Sequence, residues 1–338
     1  MGAYSGANGK NISLGITWWC KTYLGKRRLK RIWINEQLCP VCNRAKYSTY
    51  KLGLLQCVSC GLVLSPAIWK PRVNEQMEEE WFGDDFQPET SFWVTLFEEW
   101  NNRRTFSRLA QANPQGHRLL EIGVGSGSLL AEARERGYEV MGCDISAQIS
   151  RRVAEVYGIP MHGEPLASLV VKGCFDVIVM NHVLEHVQQP VKFLQNVYSL
   201  LAPSGVVYIA VPNIACWESV LSGWTSYEPY HLAYFDPQTL VRTVTMGGLI
   251  PEQITTHDSF SGGFLALLRT ALGVNRMEGA VTRSVTRAAG YTRAHRWVLV
   301  KHVYRFTLVC VGVVMWPLRW LQARLGYGDE AICIARKS

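Results

Sequence analysis

HRLLEIGVGSGSLLAEARERGYEVMGCDIS, residues 117–146, holds an apolar run (Leu119, Leu120, Ile122), then Gly123, Gly125 and Gly127, a helix-like segment, a second apolar run and an acid, Asp144. The order is strand, glycine turn, helix, strand, carboxylate. Glycines let a backbone turn sharply and approach a ligand that any Cβ would obstruct. An acid ending the next strand can accept hydrogen bonds from both hydroxyls of a ribose. The stretch therefore predicts a nucleoside pocket at the carboxyl edge of a parallel sheet. A dinucleotide fingerprint requires G-x-G-x-x-G, whereas Gly123-Val124-Gly125-Ser126-Gly127 has G-x-G-x-G spacing and Leu130 where a last glycine would fall when the pattern is read from Gly125.

Outward from this stretch the pattern stays regular. Strands are expected at 138–144, 159–162, 175–181, 205–211 and 249–256. Helices are expected at 127–136, 146–157, 165–171, 189–201 and 237–247. Such alternation implies a parallel sheet with helices on both faces.

Glu121 before the glycines gives E-x-G-x-G-x-G, which resembles motif I of class I S-adenosylmethionine-dependent methyltransferases. Phe175-Asp176-Val177-Ile178 with Val183-Leu184-Glu185-His186-Val187, Leu200-Leu201-Ala202-Pro203-Ser204-Gly205 and His231-Leu232-Ala233-Tyr234-Phe235 resemble segments of the ubiquinone-pathway O-methyltransferase-like family, methyltransferase domain type 23. The likeness covers residues 115–256 and again 328–337. It implies an α/β, Rossmann-like seven-stranded methyltransferase sheet, whose last strand at residues 331–335 returns antiparallel in an edge hairpin, and S-adenosyl-L-methionine as cofactor. Glu121, Gly123, Gly125 and Gly127 would shape the methionine and ribose cradle, Asp144 would hold the ribose, and Ile145 and Glu164 would lie at the adenine. Asn181 and His182 would face the methyl group. His231, His182 and His186 are the candidate proton acceptors, since an imidazole titrates near neutral pH. His231 is preferred for its loop after the fifth strand.

His182-x-x-Glu185-His186 also spells the H-x-x-E-H of a zinc protease, but its strand-to-helix context opposes that reading. The ubiquinone-pathway relatives have E-x-x-E-H there, able to bind a divalent ion; here His182 replaces the first acid.

Ahead of this domain, Cys39-x2-Cys42 and Cys57-x2-Cys60 are two knuckles, 14 residues apart, that together present four thiolates. The pattern predicts a small N-terminal zinc ribbon whose closed coordination makes the metal structural. A ribbon ahead of such a domain is similar to the layout of sugar C-methyltransferases of antibiotic pathways. The implied organisation is a basic arm (1–35), the ribbon (36–72), a helical connector or lid rich in aromatics (73–113), and the methyltransferase domain (114–338) with a basic and apolar insertion at about 257–328.

The 338 residues carry a net charge of +8 that is unevenly placed. Residues 1–72 hold twelve Lys/Arg and one acid, residues 269–338 twelve and three, so the middle is acidic. The ends are therefore where an anionic partner would be met. Residues 306–316 are apolar but short of the roughly 20 needed to span a bilayer. With the arginines at 283–305 they suit an anionic membrane surface. Ten cysteines, four of them in close pairs and others in apolar runs, point to a reducing compartment. Together with the lack of a secretory leader pattern, this predicts a cytoplasmic protein, peripheral on a membrane if the tail binds there. The expected activity is O- or C-methylation of a small-molecule, glycan or lipid-linked acceptor. The alternatives are an RNA methyltransferase that uses the ribbon, or a silent scaffold.

Overall fold

A computed structural model describes residues 31–32, 37–70, 92–257, 262–273 and 310–338. Most of the basic arm, the acidic run at 78–82 and the arginine-rich stretch at 283–305 lie outside the described residues.

The larger sheet begins at β5 (Arg118–Ile122), followed by β6 (Glu139–Cys143), β7 (Met161–His162), β8 (Phe175–Asn181), β9 (Leu201–Pro212), β11 (Ile250–His257) and β12 (Glu330–Arg336). Its order is β11-β12-β9-β8-β5-β6-β7. β5 to β9 pair in parallel, and β12 runs antiparallel to both β9 and β11. The last strand returns antiparallel and forms the edge hairpin with β11 that the resemblance implies, with β12 lying between β9 and the rim strand β11. It reaches that position because Ala331 to Ala335 are apolar at every residue and are buried to 2% exposure or less, as suits a strand covered on both faces.

Alternate side chains along the strands feed two cores. Leu120, Ile122, Ile178, Met180, Val207 and Ile209 pack on one face with α4 (Pro190–Leu200) and α5 (Pro237–Met246). Leu119, Val177, Val179, Val206 and Tyr208 pack on the other with α1 (Phe92–Ala112), α2 (Ser128–Glu135) and α3 (Ala147–Tyr157). The helix starts are chemically marked. Ser146 caps α3 by accepting from Ile149 N, and Asp236 with Thr239 forms a capping box on α5 ahead of Pro237. The helix expected at 165–171 is only a 3-10 turn at Leu166–Ser168, since its flanking Pro165 and Gly173 leave too little chain for a stable α-helix.

The smaller sheet joins β1 (Arg31–Ile32), β2 (Tyr47–Thr49), β3 (Leu55–Cys57) and β4 (Val63–Leu64) to β10 (Ala233–Tyr234), which comes from the part of the chain that builds the larger sheet. Ala233 pairs with Leu64 and Tyr234 with Val63. Ser65 N donates to Leu232 O at 2.9 Å, and Gln188 Nε2 donates to Ile68 O and Lys70 O. Tyr47, Leu62 and Leu64 belong to the same core as Ile122 and Met180.

Of the expected insertion, α6 (Gly262–Ala271) and a helix over residues 310–324, α7, are described. Buried Arg319 on α7 pairs with Glu218 and, at 3.3 Å, with Asp329, and Gln322 Nε2 donates to Glu218 Oε2 at 2.8 Å. Among the described residues, no helix is long and apolar enough to cross a membrane.

Candidate functional site

The turn after β5 is left-handed at all three glycines. At Gly123 (φ 76°) an added Cβ would run into the Val183 side chain, whereas at Gly125 (φ 55°) it would meet open space. One glycine is thus required by packing, and the other leaves a bare stretch of backbone that a ligand can approach. Behind the turn, Asp144 is 7% exposed; its Oδ2 accepts from Val124 N and its Oδ1 from Ser146 N, both at 2.9 Å. These bonds fix the carboxylate and leave each oxygen a further lone pair for ribose hydroxyls. Ile145 beside it is 39% exposed, an apolar shelf of the kind an adenine needs. Glu164 is exposed and accepts from the Ser168 hydroxyl at 3.0 Å.

A cavity of about 300 Å³ opens between this turn and α1. Glu121, Gly123, Val124 and Ser126 form its floor, and Glu98, Asn101, Asn102, Arg104, Thr105 and Arg108 of α1 form its roof. Asn181, His182, Tyr208, His257 and Glu330 close the far side. The connector helix thus lids the site with its polar face while Phe106 enters the core.

Glu121 is 3% exposed and its Oε2 meets no partner among the described residues. Burial, then the nearby Asp144 charge, pushes its carboxyl well above the ordinary range. An unpartnered buried acid is costly, and an ammonium-bearing ligand in the cavity would offset that cost. The residues therefore fit S-adenosylmethionine at both ends: a carboxylate for its ammonium and Asp144 for its ribose.

His182 stands at the carboxyl end of β8 with φ 54°, a left-handed conformation that a residue with a Cβ adopts at some cost. Its Nδ1 donates to Glu185 Oε1 at 3.2 Å and its Nε2 to Glu330 Oε1 at 3.0 Å, while half of the side chain stays open to the cavity. Burial opposes the charge on His182, but the two carboxylates outweigh it and hold the imidazolium well above its ordinary pKa. Burial likewise opposes ionising Glu185 and Glu330, and His182 outweighs it, so both stay below the ordinary carboxylate range.

His186 and His231 form a layer beneath. Their rings meet edge to face at 4.8 Å, and each Nδ1 is spent on a backbone carbonyl: Tyr230 O at 3.0 Å for His186 and Ser226 O at 2.8 Å for His231. Both imidazoles are held below their ordinary pKa by burial, His231 down to about 3. His231 was expected to face the acceptor from its loop. It is instead 6% exposed and does not line the cavity, because the turn at 227–231 folds inward on Tyr227, itself fully buried. Glu185, His186 and His231 bring one donor atom each to within 4.8 Å of one another, a set that a divalent ion could use.

Glu330, Arg104, Arg108 and His257 lie in the cavity wall without having been singled out from sequence. Arg104 and Arg108 carried a signal, being a helical turn apart on an expected lid. Glu330 carried none, since only the return of β12 brings it here.

In the smaller sheet, Cys39, Cys42, Cys57 and Cys60 converge, their sulfurs all within 4.8 Å of one another. Cys39 and Cys60 are 3.6 Å apart, Cys42 and Cys57 3.5 Å. A tetrahedral Zn–S shell of about 2.3 Å places sulfurs about 3.8 Å apart, so the quartet fits zinc. Disulfides would bring sulfurs to about 2.05 Å, and all four cysteines are free.

Residues 92–249 match the family model of a methyltransferase domain. The chain is 34% identical over 115 residues to tRNA 5-carboxymethoxyuridine methyltransferase of Escherichia coli K12, a match covering 31% of this chain and 44% of that one. It therefore spans less than half the length of this relative. It is 29% identical over 175 residues to ubiquinone biosynthesis O-methyltransferase of Methylobacterium sp. strain 4-46, covering 46% of this chain and 70% of the other. Among solved structures, 1,6-didemethyltoxoflavin-N1-methyltransferase of Burkholderia thailandensis, with bound S-adenosylhomocysteine, is similar at 13% identity and a TM-score of 0.44, over 84% of this chain and 98% of that one.

Proposed function

We propose, for a chain that carries a class I S-adenosylmethionine-dependent methyltransferase domain, that it methylates an oxygen or carbon of a small-molecule, glycan or lipid-linked acceptor. The observation that supports this most is the single cavity in which the glycine turn, unpartnered Glu121 and His182 meet.

The cofactor, when bound, supplies an electrophilic sulfonium methyl. What the chain must supply is alignment and removal of the acceptor's proton. Glu121 holds the ammonium end, Gly125 lets the backbone approach, and Asp144 takes the ribose hydroxyls with Ile145 along the base. Glu164, on the exposed side of that pocket, would reach the adenine only by leaving Ser168. Asn181 and His182 present polar groups at the reacting end.

Glu185 and Glu330 favour the charged form of His182, which suits it to orient the acceptor and stabilise negative charge rather than to accept a proton. Glu330 is the better proton acceptor. A hydroxyl becomes strongly acidic as it gains a methyl group, so even a carboxylate held below its ordinary range can take that proton. His186 and His231, held neutral by burial, lie beside Glu185 and are not placed to take the acceptor's proton.

Cys39, Cys42, Cys57 and Cys60 would hold a structural zinc ion, with all four positions filled and none left for substrate. Crowding explains the need for a cation. Four thiolates held this close would repel one another, and a divalent cation at their centre would offset that repulsion. The likeness to a tRNA methyltransferase supports a second reading, in which the acceptor is RNA.

The test incubates the chain with S-adenosylmethionine and host extract and looks by mass spectrometry for a metabolite that gains one CH2 only when both are present. Methyl incorporation solely into RNA would favour the second reading. Failure to bind S-adenosylhomocysteine would remove both and leave the scaffold alternative.

A further inference from the structure

The helix α7 is amphipathic the wrong way round for one that rests on a protein core. Its buried stripe is Gly312, Arg319 and Gln322, at helical spacing along one side. Arg319 pairs with Glu218 and Asp329, and Gln322 Nε2 donates to Glu218 Oε2 and to Tyr327 O. That side is therefore held to the body of the molecule by charge and hydrogen bonds.

The opposite side is apolar. Val314, Leu318 and Leu321, with Leu325 just past the helix end, follow one another at four, three and four residues, and all are exposed, Val314 at 78%. Val313, Trp316 and Trp320 widen the stripe, and Trp316 is 58% exposed. Exposed leucines scattered singly need no explanation, but a contiguous apolar face does. The solvent side of a surface helix is ordinarily polar, so this face is built to meet something apolar.

The patch continues beyond the helix. Exposed Val220 and Leu267 line, with Val311, Met315 and Leu318, an apolar groove of about 350 Å³. Trp217 and Tyr327 stack with ring centres 6.5 Å apart, and both stay exposed. Rings that combine an apolar body with a polar N–H or O–H settle at a membrane–water interface.

Charge selects among the possible occupants. Residues 279–318, the sequence leading into and along α7, contain Arg283, Arg287, Arg293, Arg296, Lys301 and Arg305 and no Asp or Glu. Two copies of the chain meeting on this face would bring that like charge together, which opposes association. The headgroups of an anionic leaflet attract it instead. Anchored along its polar stripe, α7 would lie on such a surface rather than cross it.

We propose that the outward face of α7, with the groove beside it, docks on an anionic membrane surface, its apolar side chains entering the boundary between headgroups and acyl chains.

The test is co-sedimentation of the full chain with vesicles of equimolar phosphatidylcholine and phosphatidylglycerol, compared with vesicles of phosphatidylcholine alone. The wild type is expected to bind the mixed vesicles roughly tenfold more tightly than the neutral ones, and more weakly as salt rises. The double variant Val314→Ser, Trp316→Ser, which leaves the charge unchanged, should weaken binding to the mixed vesicles roughly fivefold or more. Trp316→Phe should change it little. Both variants should keep the wild-type thermal midpoint, because the replaced side chains are exposed. Absence of binding to the mixed vesicles, or binding that the double variant leaves unchanged, overturns the proposal. A wild-type chain that ignores vesicles but is a dimer by sedimentation velocity, and a monomer in the double variant, would assign the face to a second copy and overturn it as well.

Discussion

His182 and Glu330 stand 148 positions apart in the chain and meet at 3.0 Å, Nε2 to Oε1, on the wall of the cavity beside the glycine turn. The pair joins the end of β8 to the start of β12 and gives a strained residue a fixed orientation. Replacing His182 by Gln, or Glu330 by Gln, is expected to lower kcat on an identified acceptor by roughly 10²-fold and to leave S-adenosylhomocysteine affinity within about twofold. Equal losses in both readouts would mean that the pair only supports the fold.

Asp144 has its carboxylate fixed by two backbone donors beside the glycine turn and is proposed to hold the ribose. The Asp144→Asn variant should bind S-adenosylhomocysteine roughly 10- to 100-fold more weakly, the scale of a lost charged hydrogen bond, with an unchanged circular dichroism spectrum. Wild-type affinity by calorimetry would exclude the ribose role.

Glu121 gives a pH signature. Its carboxyl is raised in the folded chain above the ordinary 4.5, so the folded state holds a proton that the unfolded state has already released. The associated stability is complete below about 4.5 and is lost as pH rises toward the raised value. The cofactor-free wild type should therefore lose thermal stability relative to Glu121→Gln as pH climbs from 4.5 through neutrality, and S-adenosylmethionine should narrow the gap in favour of the wild type. Parallel melting curves across that range would contradict the assignment.

The cysteine quartet should carry one zinc per chain by elemental analysis. The Cys39→Ser, Cys57→Ser double variant should lose it, with a large fall in thermal midpoint, since a unit this small has little core of its own. Because β4 pairs with β10, amide exchange at Ala233 and Tyr234 should quicken in the same variant. Unchanged exchange there would show the two sheets to be independent.

The stretch 117–146 could be read because its determinants are local: an apolar run, glycines where the chain turns left-handed, and an acid one strand later. The cysteine spacing is equally local, and it correctly foretold four converging sulfurs. What escaped the sequence depends on distant pairing. Glu330 reaches His182 only through the antiparallel register of β12 on β9, and β10 is two residues within a loop whose strand character comes from Val63 and Leu64. His231 was placed by analogy with a loop position, but the buried side chains of Trp224, Tyr227 and Tyr234 draw that loop inward. The apolar side of α7 faces outward because Glu218 claims Arg319 and Gln322, a pairing that no local pattern announces.

The position of β12 also bears on the order in which the chain can assemble during synthesis. β11 is made earlier, yet among the described residues it pairs only with β12, and β9 has its partner on that edge only once residues 330–336 emerge. A nascent chain therefore exposes two unpaired strands across the whole 258–329 interval, a form prone to wrong pairing. Slow translation or truncation within that interval should favour aggregation far more than an equal disturbance before residue 201.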